Sequence, residues 1–314
     1  MSMSSRIALG SLSLLIASVT AENAMAQQAW VGERDSLSAS LDYSYSRSNQ
    51  VLEEWGIEVD DSDLIFNHTA AIAVEYTPIE RLALIATLPL VSTRVGNVRV
   101  GAVPPAGPHG RYDDGKYHST LQDFRLDARY MVVDDVVTFS PHVSVSIPVA
   151  NYETVGFANA GRGLKMLIFG GAIGKYFTSG VPNLYLHGRY EFRWTERYES
   201  GFPETEKIGQ NKSFMDALIG YYIVENLEVN VAADMQLSHG GFRFHDWRPG
   251  DATQYPEQYF HDALLAETFL HVGGGLSYSP VEWLRLSAFV RVFMWGENTR
   301  NADLYGLGLS WESM

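Results

Sequence analysis

Long runs in which apolar and polar residues alternate one by one restrict the fold of this chain more than any other feature. From Leu227 the run Leu-Glu-Val-Asn-Val-Ala-Ala-Asp-Met-Gln-Leu-Ser puts apolar residues on one face of a strand and polar residues on the other. The same period of two recurs from Asp123, around Val137 and from Leu184. Strands of soluble proteins usually have about five or six residues, whereas a tilted membrane strand needs about 9–11. Runs of this length predict strands that cross a membrane.

The connections between these runs alternate between short and long. Short turns are predicted at 77–80, 133–135, 178–183, 224–226 and 279–282. Longer polar loops are predicted at 49–62, 96–118, 151–161, 197–211 and 241–261, with a shorter one at 297–302. This alternation is typical of the periplasmic and extracellular ends of a transmembrane barrel. A tyrosine precedes each short turn, and the five predict an aromatic girdle at one membrane boundary: Tyr76, Tyr130, Tyr176, Tyr222 and Tyr278.

The turns and loops together predict an all-β fold, a transmembrane antiparallel up-and-down β-barrel of about 12 strands. The predicted strands are 36–48, 63–77, 81–95, 119–132, 136–150, 162–177, 183–196, 212–223, 227–240, 262–278, 283–297 and 303–312. The segment from Tyr76 to Leu82 also resembles that from Tyr278 to Leu284, which indicates a repeated hairpin. Pro141 interrupts a predicted strand and indicates either a bulge or a misplaced boundary. A soluble β-protein is the alternative fold.

The first 26 residues have the pattern of a cleaved signal peptide. Arg6 is followed by an apolar run from Ile7 to Val19, and Ala24-Met25-Ala26 fits the small-residue rule for a cleavage site. An uncleaved anchor is the alternative. Residues 27–314 then form the barrel domain. We expect this domain to be exported to the outer membrane and to contact the lipid there. The oligomeric state is left open.

Composition excludes several classes of function. The chain has no cysteine, which removes disulfides, thiolate metal sites and cysteine nucleophiles. A net charge of −14 argues against nucleic acid as a partner. Because the histidines lack ligand spacing and no nucleophile motif is present, we predict no metal, no cofactor and no enzymatic activity. His239 at the end of a strand is the residue on which an alternative, lipid-active enzyme would depend.

If the apolar faces meet lipid, the polar faces line an enclosed lumen. The predicted lumen residues are Asp123, Arg125, Asp127, Arg129, His187, Arg189, Glu191, Arg193, Glu228, Asp234, Glu267, Arg285 and Arg291, joined by Phe289, Phe293 and Trp295. Charges of both signs are expected to pair across neighbouring strands, either as a filled ion-pair ladder or as a polar track for a solute. The aromatic residues of one long loop form a predicted solute entrance: Phe242, Phe244, Trp247, Tyr255 and Tyr259.

The segment Leu121-Gln-Asp-Phe-Arg-Leu-Asp-Ala-Arg-Tyr130 resembles the outer-membrane family of the MetA pathway of phenol degradation. Members carry an Asp-x-x-Leu-x-x-Arg-Tyr strand followed by a turn and a strand with a proline near its outer end. Ile147-Pro148 matches that position, whereas the Thr-Gly usual after the proline is replaced by Val149-Ala150. The resemblance implies a barrel that admits small hydrophobic or aromatic compounds. The leading hypothesis is therefore a passive channel or transporter, and the alternatives are a scaffold barrel that holds a partner and a lipid-active enzyme.

Overall fold

The structure, a computed structural model, describes residues 29–52, 58–96, 113–152, 154, 158–198, 209–241, 243 and 265–313. Twelve long strands cross these ranges. They are β1 (Leu37–Leu52), β2 (Glu58–Ile79), β3 (Leu82–Val95), β4 (His118–Leu121 and Asp123–Tyr130, interrupted at Gln122), β5 (Thr138–Pro148), β6 (Met166–Tyr176), β7 (Leu184–Thr195), β8 (Gln210–Val224), β9 (Leu227–Gly240), β10 (Thr268–Val281), β11 (Leu284–Glu297) and β12 (Thr299–Glu312). No helix in the described part of the chain could cross a membrane.

The twelve strands close into a barrel. Each strand pairs antiparallel with its neighbours in sequence, and β1 also pairs with β12, for example at Leu41 and Leu309. In the described part of the chain, closure gives each of the twelve strands a hydrogen-bonded neighbour on both sides. The predicted fold, an antiparallel barrel of about 12 strands, is confirmed.

The two ends of the barrel differ, as the sequence predicts. Five short connections lie at what we call the turn end, and the longer connections lie at the loop end. Several strand boundaries in the prediction were wrong. β1 continues to Leu52 and β2 begins at Glu58, where a loop at 49–62 was expected. β12 begins at Thr299, because Asn298 takes a φ of 49° and reverses the chain where a loop at 297–302 was expected. β10 begins at Thr268, later than the predicted residue 262.

The internal repeat is a shared bulge at the turn end. The ladder between β2 and β3 shifts register between Tyr76 and Ile79, and that between β10 and β11 shifts between Tyr278 and Val281. Pro78 and its counterpart Pro280 lie inside these shifts, where no ladder hydrogen bond is lost.

Pro141 is also explained by a bulge. Arg129 is paired with His142, and the next pair along the ladder is Val133 with Phe139. The chain after β4 therefore advances four residues while β5 advances three, which leaves one extra residue.

The outer surface of the barrel is a belt of apolar side chains. Alternate residues such as Ile72, Ile173, Ile219, Val231 and Leu307 are more than half exposed, while the residues between them face inward. A water-soluble barrel would not present such a belt, since large exposed apolar patches are rare on soluble monomers. The belt is the lipid-facing surface of a transmembrane barrel.

An arginine in this belt should therefore destabilise the barrel. We expect Ile219→Arg to lower the free energy of unfolding in lipid vesicles by about 2–4 kcal/mol, because a charge is then placed in hydrocarbon. The control is Val181→Arg, since Val181 is 52% exposed but lies in a turn outside the strands. Urea titration measures both variants. Equal effects at the two positions would show that the belt does not face hydrocarbon.

The predicted tyrosine girdle holds for three of its five members. Tyr76, Tyr130 and Tyr278 are 42%, 46% and 43% exposed and alternate with buried neighbours. Tyr176, although 47% exposed, and Tyr222 instead take inward positions, because Ile173 and Tyr221 hold the outward positions of their strands. Both line a cavity in the lumen at the turn end. Their assignment to the girdle was wrong.

Candidate functional site: the barrel lumen

The structure places the predicted lumen residues on the inner wall. Asp123 and Arg285 are partly buried, and the remaining eleven have less than 9% of their surface exposed: Arg125, Asp127, Arg129, His187, Arg189, Glu191, Arg193, Glu228, Asp234, Glu267 and Arg291. Glu267 precedes β10 rather than lying within it. The period of two accounts for this placement, since alternate residues of a strand share one face.

Glu191 is the centre of the largest charged cluster. Its side chain is fully buried, and its carboxylate oxygens lie 2.7 Å from Arg125, 3.2 Å from Arg189 and 2.9 Å from Arg193. Asp127 binds Arg125 at 2.6 Å, and Asp216 binds Arg189 at 2.6 Å. Three arginines are thus matched by three carboxylates. This cluster, the Glu191 network, fills the middle of the lumen with paired charge.

Three lumen ion pairs bridge over an intervening strand, and three others lie along a single strand, rather than joining neighbours as predicted. Glu75 of β2 pairs with Arg129 of β4 at 3.0 Å, and Asp234 of β9 pairs with Arg291 of β11 at 2.9 Å. Arg285 likewise contacts Glu228. Small inward residues on the strands between, such as Ala83 and Gly273, leave room for these contacts. Arg189–Asp216 is a pair between neighbouring strands, β7 and β8.

Of the three aromatic residues predicted in the lumen, two face inward and one faces outward. Phe289 lines the turn-end cavity, and Phe293 packs beside buried Phe214 and Phe269. Trp295 is 41% exposed and faces outward, because a register shift opposite Leu270 and His271 reverses the alternation. Its assignment to the lumen was wrong. The predicted solute entrance, Phe242, Phe244, Trp247, Tyr255 and Tyr259, lies outside the described residues.

The segment before β1 enters the barrel at the turn end. Ala29 is fully buried, and its carbonyl accepts a hydrogen bond from the Ser140 hydroxyl. Arg129 donates to the Trp30 carbonyl at 3.3 Å. The backbone of Asp35 donates to Thr77 at 2.7 Å, which holds the segment against β2. Ala29 and Trp30 of residues 29–36, the N-terminal segment, therefore occupy the lumen, whereas residues 33–35 are exposed. No periodic pattern in the sequence indicated this.

Trp30 stands between the lumen and the turn-end mouth. Its ring lies 4.6 Å from that of Tyr176 and 6.3 Å from that of Tyr185. A Cβ at Gly174 would come within 2.6 Å of the indole, so only glycine leaves space for it here. Trp30 lines an inner cavity of about 110 Å³ and also two mouth cavities of about 280 and 480 Å³.

The inner cavity combines aromatic and polar walls. Its aromatic residues are Trp30, Tyr176, Tyr185, Tyr222 and Phe289. Among its polar groups, Tyr185 donates a hydrogen bond to Glu228 at 2.6 Å. Asp42 and Asn230 also line it. We call it the turn-end cavity.

A second segment folds into the barrel at the loop end. Ala158, Ala160 and Leu164 are buried, and Gln122 donates to the Ala160 carbonyl at 2.8 Å. Arg162 contacts both Gln210 and Glu267, and Lys212 lies 3.6 Å from Glu267. Lys212 and Asp216 alternate along β8, so the period of two could have predicted them. Arg162 lies in a connection without periodicity and could not be found that way.

Tyr152 connects the loop-end segment to the predicted lumen residue Asp123. Its hydroxyl donates to the Asp123 carboxylate and accepts from the backbone of Gly163 at 3.1 Å. Burial raises the pKa of the Tyr152 phenol, and the adjacent Asp123 charge raises it further. Tyr152 is thus a neutral hydrogen-bond donor that satisfies a carboxylate without a cation.

The contact of His239 bears on the lipid-active alternative. Its Nε2 lies 2.7 Å from the Ser213 hydroxyl, on the outer face of β8 and β9. Ser213 is only 5% exposed, and its hydroxyl also contacts Tyr190 at 3.0 Å. Within the described residues no hydrogen bond reaches the other ring nitrogen of His239, so the third group that orients a catalytic base is missing there. No group of three or more potential metal ligands occurs in the same part of the chain.

A closed twelve-strand barrel with an apolar outside and a charged inside defines a membrane protein of the outer-membrane β-barrel class. The solved structures agree on the fold. An outer membrane channel from Pseudomonas putida F1 is 10% identical and has a TM-score of 0.66, with 90% of this chain and 97% of that chain covered. At this identity the likeness shows the fold alone.

Two further structures are more distant. The NanC porin is 11% identical with a TM-score of 0.48, covering 86% of this chain and 98% of its own. The translocator domain of the autotransporter NalP from Neisseria meningitidis is 11% identical with a TM-score of 0.45, covering 90% and 89%. No family model matches the chain, and no curated protein matches it. The resemblance to the phenol-degradation family stays a prediction, as does the signal peptide, which precedes the described residues.

Proposed function

We propose that this chain is an outer-membrane channel for small solutes, closed at its turn end by the N-terminal segment. The observation that carries the proposal is the position of Trp30 between the turn-end cavity and the mouth cavities. The segment is held by hydrogen bonds and ring contacts, so its displacement would join these spaces without unfolding the barrel. The Pseudomonas putida protein of the same fold is an outer membrane channel, which supports this assignment.

The solute class that we propose is small hydrophobic or aromatic compounds. Five aromatic rings line the turn-end cavity, and aromatic rings favour offset or edge-on contact with another ring. Glu228 and Asn230 on the same wall could accept or donate a hydrogen bond to a hydroxyl on such a ring. The resemblance to the phenol-degradation family supports the same class.

A scaffold barrel is the second candidate, favoured by the paired charges of the Glu191 network. Three arginines matched by three carboxylates fill the lumen as a structural core would. A scaffold of this kind would not conduct, whereas a channel would.

Planar-bilayer recording of the purified barrel separates the two functions. We expect discrete openings, and we expect phenol to reduce the current more than cyclohexanol of similar size, because only phenol offers an aromatic face. Absence of openings in both the wild type and a variant with an altered N-terminal segment would support the scaffold. If phenol and cyclohexanol reduce the current equally, the protein is a channel that does not prefer aromatic solutes.

A further inference from the structure

One wall of the lumen is a continuous row of hydroxyl groups with a single carboxylate. The inward residues of β1 are Ser40, Asp42, Ser44, Ser46 and Ser48, all at most 5% exposed. The neighbouring strands carry small inward residues beside this row, Ala71 and Ala73 on β2 and Gly306 and Gly308 on β12. Around Asp42 the wall is therefore built of small residues and hydroxyl groups, and the Phe289 ring lies over Gly306.

Asp42 is a buried carboxylate that takes part in none of the ion pairs described above. Its Oδ2 accepts a hydrogen bond from Ser40 at 2.9 Å, and no cationic group among the described residues pairs with it. The other buried carboxylates of the strands bind arginines, and partly buried Asp123 binds Tyr152; the buried set is Glu75, Asp127, Glu191, Asp216, Glu228 and Asp234.

The free side of the Asp42 carboxylate faces the turn-end cavity. Asp42 lines that cavity together with Ser287 and Ser310. A Cβ at Gly308 would lie 2.7 Å from Asp42 Oδ1 and even closer to the Ser287 hydroxyl, so both oxygens lie over this glycine. Arg285 and Arg291 line the same cavity, but each is paired with its own carboxylate. When Asp234 is counted as the partner of Arg291, the side chains at this cavity carry one excess negative charge.

We propose that Asp42 is a site for small monovalent cations, inorganic ions or ammonium groups, and that it makes the lumen cation-selective. The inference rests on the proposed function, since selectivity requires a lumen that conducts. Carboxylate and hydroxyl oxygens suit hard cations, and acidic side chains produce selectivity in cation channels. The net charge of −14 adds a field of the same sign around the barrel.

The test is the reversal potential of single channels under a potassium chloride gradient, in mildly alkaline buffer that keeps carboxyl groups ionised. We expect the wild type to prefer potassium over chloride, and Asp42→Asn to lower the permeability ratio about fivefold, as expected for one partly desolvated charge. Glu225→Gln removes an exposed charge from the turn after β8 and should change nothing. The double variant Asp42→Asn, Ser44→Asp returns the charge to the same wall two residues away and should restore the preference.

The outcomes separate this inference from the proposed function. Heat-modifiable migration on a gel shows whether each variant is folded. A folded Asp42→Asn variant with unchanged selectivity, or a wild type that prefers chloride, overturns the cation site and leaves the channel intact. If neither the wild type nor the Trp30→Ala variant conducts, the proposed channel function is wrong, and the proposed cation selectivity is wrong with it.

Discussion

Replacing Trp30 with alanine is expected to raise the single-channel conductance at least about twofold, because the indole is among the largest side chains that can close a lumen. The ring stacks on Tyr176 at 4.6 Å and separates the turn-end cavity from the mouth. Removing it joins these spaces while the strands and their ladders remain. The measurement is planar-bilayer recording, with gel migration as the check on folding.

A second variant tests the same closure from the barrel wall. Gly174→Ala places a Cβ within 2.6 Å of the indole and should expel it, so its conductance should rise as in Trp30→Ala. Gly188→Ala is the matched control, because its nearest contact would be an ordinary 3.6 Å. If Trp30→Ala and Gly174→Ala both conduct like the wild type, the N-terminal segment does not limit the current.

Removing the carboxylate of Glu191 is expected to cost about 3–5 kcal/mol of unfolding free energy, because it leaves buried arginines without their shared partner. Arg125, Arg189 and Arg193 all lie within 3.2 Å of this side chain, which is fully buried. Glu191→Ala and Glu191→Gln are compared with the wild type by urea titration in lipid vesicles. The exposed Glu225→Gln is the control.

A double variant shows whether the cost comes from unpaired charge. Combining Glu191→Gln with Arg193→Gln removes one of the uncompensated arginines and should recover part of the loss. A cost for Glu191→Gln no larger than that for Glu225→Gln would mean that the network contributes little to stability. The lumen would then be free to rearrange during transport.

Much of the fold could be predicted from the sequence because the evidence for it is local. A strand exposes alternate residues to opposite faces, so the run from Leu184 to Thr195 by itself separates Arg189, Glu191 and Arg193 from Leu186 and Tyr190. The same argument failed where register shifts change the facing of a side chain. Trp295 faces outward because of such a shift, and no residue near Trp295 in the sequence indicates that the shift occurs.

The sequence by itself determined the number of strands, their closure into a barrel and, away from register shifts and strand ends, which side chains face inward, because alternation and turn length act over a few residues. The tertiary structure alone decided which inward groups meet. Arg125 and Glu191 are 66 positions apart and three strands apart, and only the curvature of a closed barrel brings them within 2.7 Å. The same closure creates the interior that Trp30 occupies and leaves Asp42 without a cation, because pairing depends on distances across the lumen.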